Sequence, residues 1–295
     1  MKRRWQVTVI GPDPLLVNRP PTNLLARLEL ESGFRGTRDA LGAVTFLLHS
    51  EEAVAGFLSM AESLGLRTRV REIVRYSRSE LLQARYLVLA VERAPKGDGG
   101  PRYGTGYDLS TGCDACGTGA TQVSALRVRA SDMDRGRAAG IVQTLRGEYL
   151  VHEGMAVTLR DSEISGLELR RAESSRGQPL PWYQLIATHA LPAMVPSSRG
   201  ILVEGQCPHC RRDGYFGSPT EEMQPRYPQP NLNAPYDVMR SWEHFGNSRL
   251  TEPFDQSHLA SALLLVRPKV MELLLEMGVR GIRFKPVEIE PREQG

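Results

Sequence analysis

The hydrophobic pattern changes period several times along the chain. Trp5 to Ile10 alternates as a strand and stops at Gly11-Pro12-Asp13-Pro14. Ala43 to Leu48 is a second strand-like apolar run. Ser50 then caps a helix with Glu51 and Glu52 in its first turn, and Val54, Phe57, Leu58, Ala61 and Leu64 keep helical spacing up to the stop at Gly65. Arg67–Arg75 and Tyr86–Val91 read as two more strands. Residues 1–95 are therefore expected to form a small β-α-β-β module. The Gly/Pro-dense stretch from Pro95 to Pro101 breaks the chain, and a second domain is expected over 105–290. A Pro-rich irregular stretch runs from Gly217 to Tyr236, and Glu288 to Gly295 reads as a frayed end.

The second region contains a weak internal repeat. Placing Leu150–Arg170 on Leu265–Lys285, an offset of 115 residues without a gap, sets Val151 on Val266, Leu159 on Leu274, Gly166 on Gly281 and Leu169 on Phe284. Each copy reads as a strand, a short helix, a glycine turn and an alternating strand. Two ordinary α/β connections would give the same pattern. The fold class expected is α+β: mixed sheets with few helices, and a C-terminal β-rich region of two related units.

At 295 residues, 41% hydrophobic and 24% charged, the chain has the composition of a globular protein. No run nears the length of a membrane span, and no secretory h-region follows the N-terminus, so a cytoplasmic location is expected. The net charge of +3 does not require a polyanionic partner. Lysine occurs only at Lys2, Lys96, Lys269 and Lys285, an arginine bias that a GC-rich genome explains.

All four cysteines lie in two Cys-x-x-Cys knuckles, Cys113/Cys116 and Cys207/Cys210, with 90 residues between them. A two-residue spacer lets both thiolates of a knuckle face one ion, and two knuckles complete a closed tetrahedral site. One structural zinc per chain is the expected cofactor. A redox dithiol, or four small buried residues without metal, are the competing readings. Gly117 suits the turn after the first knuckle, whereas Arg211 stands at the matching position of the second. His209 reads as a neighbour, since four thiolates already satisfy zinc. The remaining histidines form no metal pattern. There is no Gly-x-Ser-x-Gly, no phosphate-binding loop and no assembled catalytic set, so a non-enzyme is expected.

Trp242, His244, Asn247 and His258 belong to the densest polar-aromatic cluster and are the candidate partner surface. A strand with buried Trp242 and Phe245, ended by a Gly-Asn turn, is the alternative. Tyr215 and Phe216 could stack on a base or cover the metal site.

The double Cys-x-x-Cys(-Gly) arrangement, together with the stretch from Leu264 to Val287 that holds Gly-Val-Arg-Gly-Ile-Arg-Phe-Lys-Pro-Val, resembles the myxobacterial double-CxxCG motif paralogous family. The resemblance covers about 105–290. It implies a non-catalytic zinc-binding cytoplasmic protein, an immunity protein that binds and neutralises a cognate toxin of the swarm-inhibition type. The alternative function is a zinc-ribbon nucleic-acid-binding protein; an enzyme using the Trp242–His258 region is a third reading.

Overall fold

The structure is a computed structural model that describes residues 2–10, 20–38, 43–91, 96–229, 235–248 and 259–290. It has mixed α+β content, with six helices and many strands among the described residues, in two compact units. None of these helices is long and apolar enough to cross a membrane.

The first unit comprises residues 1–77 and 217–223. Its elements are β1 (Lys2–Ile10), α1 (Thr22–Ser32), β2 (Thr37–Arg38), β3 (Val44–Leu48), α2 (Glu51–Ser63) and β4 (Arg67–Arg75). The sheet order is β2-β3-β1-β4, with every pair antiparallel, which is the split β-α-β arrangement. Ser50 caps α2 as expected, its side chain accepting from the Ala53 N–H at 3.1 Å. Val7, Val9, Val44, Phe46 and Leu48 face Leu25, Leu28, Phe57 and Ala61. Helix α1 is an addition to the β-α-β-β reading. The distant segment 217–223 also belongs to this unit: buried Glu222 accepts the Val74 N–H at 2.8 Å.

The second unit comprises residues 78–216 and 224–295. It continues with α3 (Arg78–Gln83), β5 (Leu87–Val91), β6 (Lys96–Gly97), β7 (Tyr107–Asp108), β8 (Thr121–Gln122), β9 (Arg127–Val128), α4 (Ala130–Gly136), β10 (Ile141–Thr144), β11 (Tyr149–His152), α5 (Glu153–Asp161), β12 (Leu167–Ser174) and β13 (Pro179–Ala187). Then follow β14 (Ile201–Val203), β15 (Tyr215–Gly217), β16 (Arg226–Pro228), β17 (Val238–Phe245), β18 (Ser261–Val266), α6 (Pro268–Glu276), β19 (Ile282–Pro286) and β20 (Glu288–Glu290). The strand at 87–91, grouped by sequence with the N-terminal module, pairs instead with β18 and β19 of this unit. Its Leu87, Val88 and Leu89 are buried, and it pairs antiparallel with β19 along its whole length and with β18 at Leu87 and Val88. Residues 288–290, expected to fray, form β20 on β16 in parallel, where Arg226 and Arg199 hold Glu288.

Two sheets carry this unit. One has the order β6-β10-β11-β13-β12-β9, the other β17-β18-β5-β19. Helix α5 spans Glu153–Asp161 and α6 spans Pro268–Glu276, and the following strands start at Leu167 and Ile282; every one of these bounds repeats at the offset of 115 residues. The register repeats as well. Val151 and Leu169 flank Tyr183 and Leu185 of β13, while their counterparts Val266 and Phe284 flank Leu87 and Leu89 of β5. On the hairpin side, Ile141 pairs with Val151 as Val238 pairs with Val266. The two copies differ in the source of the middle strand. The first takes its middle strand from downstream (β13), and the second takes it from far upstream (β5).

The copies bury their helices in one core built from Val151, Ala156, Leu159, Val266, Met271 and Leu274 with neighbours from both sheets. They also exchange backbone contacts reciprocally. The Ser165 carbonyl accepts from Asp237 and Val238 N–H at 3.1 Å ahead of β17, and the matching Arg280 N–H donates to the Ala139 carbonyl at 3.0 Å ahead of β10. Gly166, with φ +77°, is needed here, because a Cβ at that position would lie 2.4 Å from the Val238 carbonyl.

Candidate metal centre

The four cysteines converge in the C-terminal unit, and their sulfurs all lie within 4.8 Å of one another. Each knuckle is a tight turn. In the first, the Gly117 N–H donates to the Cys113 carbonyl at 2.7 Å, and the Cys113 N–H donates to the Thr118 carbonyl at 3.0 Å. In the second, the Arg211 N–H donates to the Cys207 carbonyl at 3.0 Å, and the Cys207 N–H is taken by the Asp213 carboxylate at 2.8 Å. The residue after each knuckle is left-handed, Gly117 at φ +77° and Arg211 at φ +54°. Arg211 therefore keeps the backbone conformation of the expected glycine and carries its steric strain.

Across the knuckles, Cys113 Sγ and Cys207 Sγ are 3.9 Å apart, and Cys116 Sγ and Cys210 Sγ are 3.6 Å apart. A disulfide bond is about 2.0 Å long, so these are free thiols. Four sulfurs at about 2.3 Å from a tetrahedral ion sit about 3.8 Å from one another, which the observed pairs match. The residues thus fit one metal ion held by four thiolates, with no protein-supplied open position. His209 lies exposed beside this set and is not part of it.

The surroundings bear on the charge state. Burial pushes the Cys116 and Cys210 thiols up. Burial also acts on Cys207, but hydrogen bonds from the backbone N–H groups of Cys210 and His209 and from the Cys116 and Cys113 thiols together outweigh it and bring that thiol down. The Thr118 hydroxyl lies 3.1 Å from Cys116 Sγ, a polar contact that sequence reasoning missed. A divalent ion would draw the remaining protons off, as coordination requires.

The knuckles are anchored on different sheets. Gln122, just beyond the first, forms a reciprocal amide pair with Gln184 of β13 at 2.9 Å, and Arg170 of β12 donates to its carbonyl. Past the second, the Arg212 carbonyl accepts the His244 N–H of β17 at 2.6 Å, and Tyr215 and Gly246 are bridged. The centre therefore ties the six-stranded sheet to the four-stranded one, and so one copy of the repeat to the other.

The candidate partner surface is largely built into this anchorage. Trp242 is half-buried under the Arg212 guanidinium, 5.6 Å from the ring centre. His244 is buried, its Nδ1 3.0 Å from the Trp242 carbonyl, and burial lowers its pKa to about 4. Asn247 is half-buried next to Gly205. His258 lies outside the described residues. Tyr215 rests 6.1 Å from the Phe245 ring, and its hydroxyl reaches the Arg211 carbonyl. Asp213 is the structural residue the sequence did not advertise. One oxygen holds Cys207 and the other the Ser248 N–H at 3.0 Å; the only cue is an acid three positions after a knuckle.

No family model matches this chain, and no curated protein matches it.

Proposed function

We propose that the metal is zinc and that the protein is a non-catalytic binding protein of the immunity type, which neutralises a cognate bacterial toxin in the cytoplasm by covering its active face. The observation that carries this reading is the closed set of four thiols joining two repeats. An all-sulfur tetrahedral set favours zinc, and a site with four protein ligands keeps none for a substrate. Such a centre is a frame for a binding surface. The toxin as partner rests on the resemblance of the two knuckles and the Leu264–Val287 stretch to the double-CxxCG family. Partner choice would then lie in the charge and shape complementarity of the surface.

Metal analysis of the purified protein tests the first half, with about one zinc per chain expected and iron or no metal counting against it. Co-expression with toxins encoded beside the gene tests the second. Survival that depends on this protein supports the reading, and killing unchanged by its presence with every such toxin defeats it.

One observation favours nucleic acid as an alternative partner. In the first unit, Arg67, Arg69, Arg71 and Arg75 alternate along β4 onto the sheet face turned away from α1 and α2. That reading predicts affinity for an oligonucleotide that falls steeply with salt, and a flat salt response removes it.

A further inference from the structure

A cavity of about 430 Å³ opens in the C-terminal unit beside the first knuckle. It lies across the seam of the two copies, since Gly147–Tyr149 line it from one and the equivalent Ala262–Leu264 from the other. Its volume falls within the roughly 300–1,000 Å³ typical of small-molecule sites. Three arginines line it, Arg146, Arg170 and Arg240. Two are committed. Arg170 pairs with Glu168 at 2.8 Å and donates to the Gln122 carbonyl, and Arg146 lies 3.8 Å from Glu148 and donates to the Leu259 carbonyl.

Arg240 differs. The buried Nε of Arg146 has the Glu148 carboxylate 3.8 Å away, whereas the Arg240 Nε is buried with no hydrogen-bond partner among the described residues, and none of the carboxylates lining the cavity pairs with it. The charged group nearest in effect is Arg212, which repels it; burial, and behind it this repulsion, lowers its affinity for its proton. A half-buried guanidinium with spare donors is costly unless something accepts from it. The fold also aims it. Between Arg240 and His244 strand β17 bulges, so that Arg240 faces Leu264 and His244 faces Ala262, and both residues line the cavity. The bulge is fastened by Ser241, whose hydroxyl donates to the Glu243 carbonyl at 2.6 Å and accepts the Leu263 N–H at 2.9 Å.

We propose that this seam cavity binds a small oxyanion, a carboxylate or a phosphate, with Arg240 as its anchor. The planar fork of an arginine accepts either group through two parallel hydrogen bonds. The two glutamates in the wall are held by Arg146 and Arg170 and so do not close the site to an anion.

Calorimetric titration of the full-length, metal-loaded protein with inorganic phosphate and, separately, with succinate tests this. Saturable binding of one anion per chain is expected for at least one of the two, and which one binds identifies the source chemistry. In Arg240→Gln the affinity should fall about tenfold or more, while the thermal midpoint without anion stays level or rises because a half-buried unpaired charge is gone. Absence of saturable binding of both anions overturns the proposal. So does equal affinity in Arg240→Gln, which would put the anion elsewhere. Should that variant not fold, Arg240→Lys keeps the charge and loses the fork. Its affinity is then expected to drop, and unchanged affinity overturns the proposal.

Discussion

Two residues other than glycine have a positive φ among the described residues, Glu163 at +48° and Arg211 at +54°. Each has a glycine twin within the same chain. Glu163 corresponds to Gly278 of the second copy at the offset of 115, and Arg211 corresponds to Gly117 after the other knuckle. The two members of each pair share the same turn hydrogen bond. Glu163 and Gly278 each donate an N–H to the carbonyl three residues back, Arg160 and Leu275, and Arg211 and Gly117 do so to the carbonyl four residues back, Cys207 and Cys113. The glycine members therefore show what these turns require, and the other two carry a Cβ that the left-handed conformation disfavours.

Strain of this kind costs about 1–2 kcal/mol. Replacement by glycine removes it but frees the unfolded chain, which returns about 0.5–1 kcal/mol. Glu163→Gly and Arg211→Gly are each expected to stabilise by about 0.5–1 kcal/mol net, or about 1–4 °C in midpoint for a unit of this size. Both side chains are exposed, so little packing is lost. Urea and thermal denaturation followed by circular dichroism, with metal present throughout, would read the change. The reverse substitution Gly278→Ala controls for space, because a Cβ there meets nothing within 4 Å. It should destabilise by about 1 kcal/mol through conformation alone. Destabilisation by Glu163→Gly together with a neutral Gly278→Ala would refute the equivalence of the two turns.

The centre and the buried histidine give two further expectations. Cys207→Ser, or removal of the ion by a chelator, releases a cross-link over 90 residues, worth about 4 kcal/mol of loop closure alone, so the C-terminal unit should lose its cooperative unfolding transition; full retention of that transition would count against a stapling ion. His244 has its pKa lowered to about 4 by burial, so above about pH 6.5 it is neutral folded or unfolded and contributes nothing to the pH dependence. As pH falls from there towards 4 the unfolded chain takes the proton first, and stability drops by up to about 3 kcal/mol, partly offset by neighbouring Glu243, whose pKa burial raises. Denaturation midpoints of His244→Gln against the parent at pH 7 and pH 4.5 should show the loss shrink in the variant; an unchanged loss would clear His244 of it.

Local pattern made much of this fold legible. The cap at Ser50, the glycine turns at Gly166 and Gly281 and the two nine-residue helices leave signals within a few residues of themselves, and so do the two knuckles. Helix α1 leaves little. It starts after Pro21 without a side-chain cap, has no acidic residue in its first turn, and is held by burial of Leu25 and Leu28. The cavity left no trace for a different reason. Arg146, Arg170 and Arg240 come from three separate strands and turns, and no spacing rule links them. The proposed partner surface shows the limit of composition: Trp242 and His244 are polar and aromatic in sequence, yet they are used inward, under Arg212 and against the backbone of β17.

The least legible feature is the strand exchange, and it has a consequence for where the chain can be cut. By sequence, β5 follows the N-terminal strands and precedes a Gly/Pro break, so a cut near residue 95 looks harmless. By register it is the middle strand of the four-stranded sheet, between β18 and β19. Tyr86, Leu87, Val88 and Leu89 are at most 2% exposed. Burying four such side chains contributes about 1.5–3 kcal/mol each, a total comparable to the 5–15 kcal/mol that holds a typical domain together, with the ladder hydrogen bonds besides. Val266 and Phe284 would lose the strand that separates them, and the Tyr149 hydroxyl would lose the Leu89 carbonyl it donates to at 2.6 Å. A chain beginning at Arg78 keeps all of this and should fold around its metal, whereas one beginning at Lys96 should not. Dispersed amide spectra and one bound metal per chain from the Lys96 start would refute the assignment of β5 as the counterpart of β13. Loss of both from the Arg78 start would instead show that the second unit depends on residues 1–77.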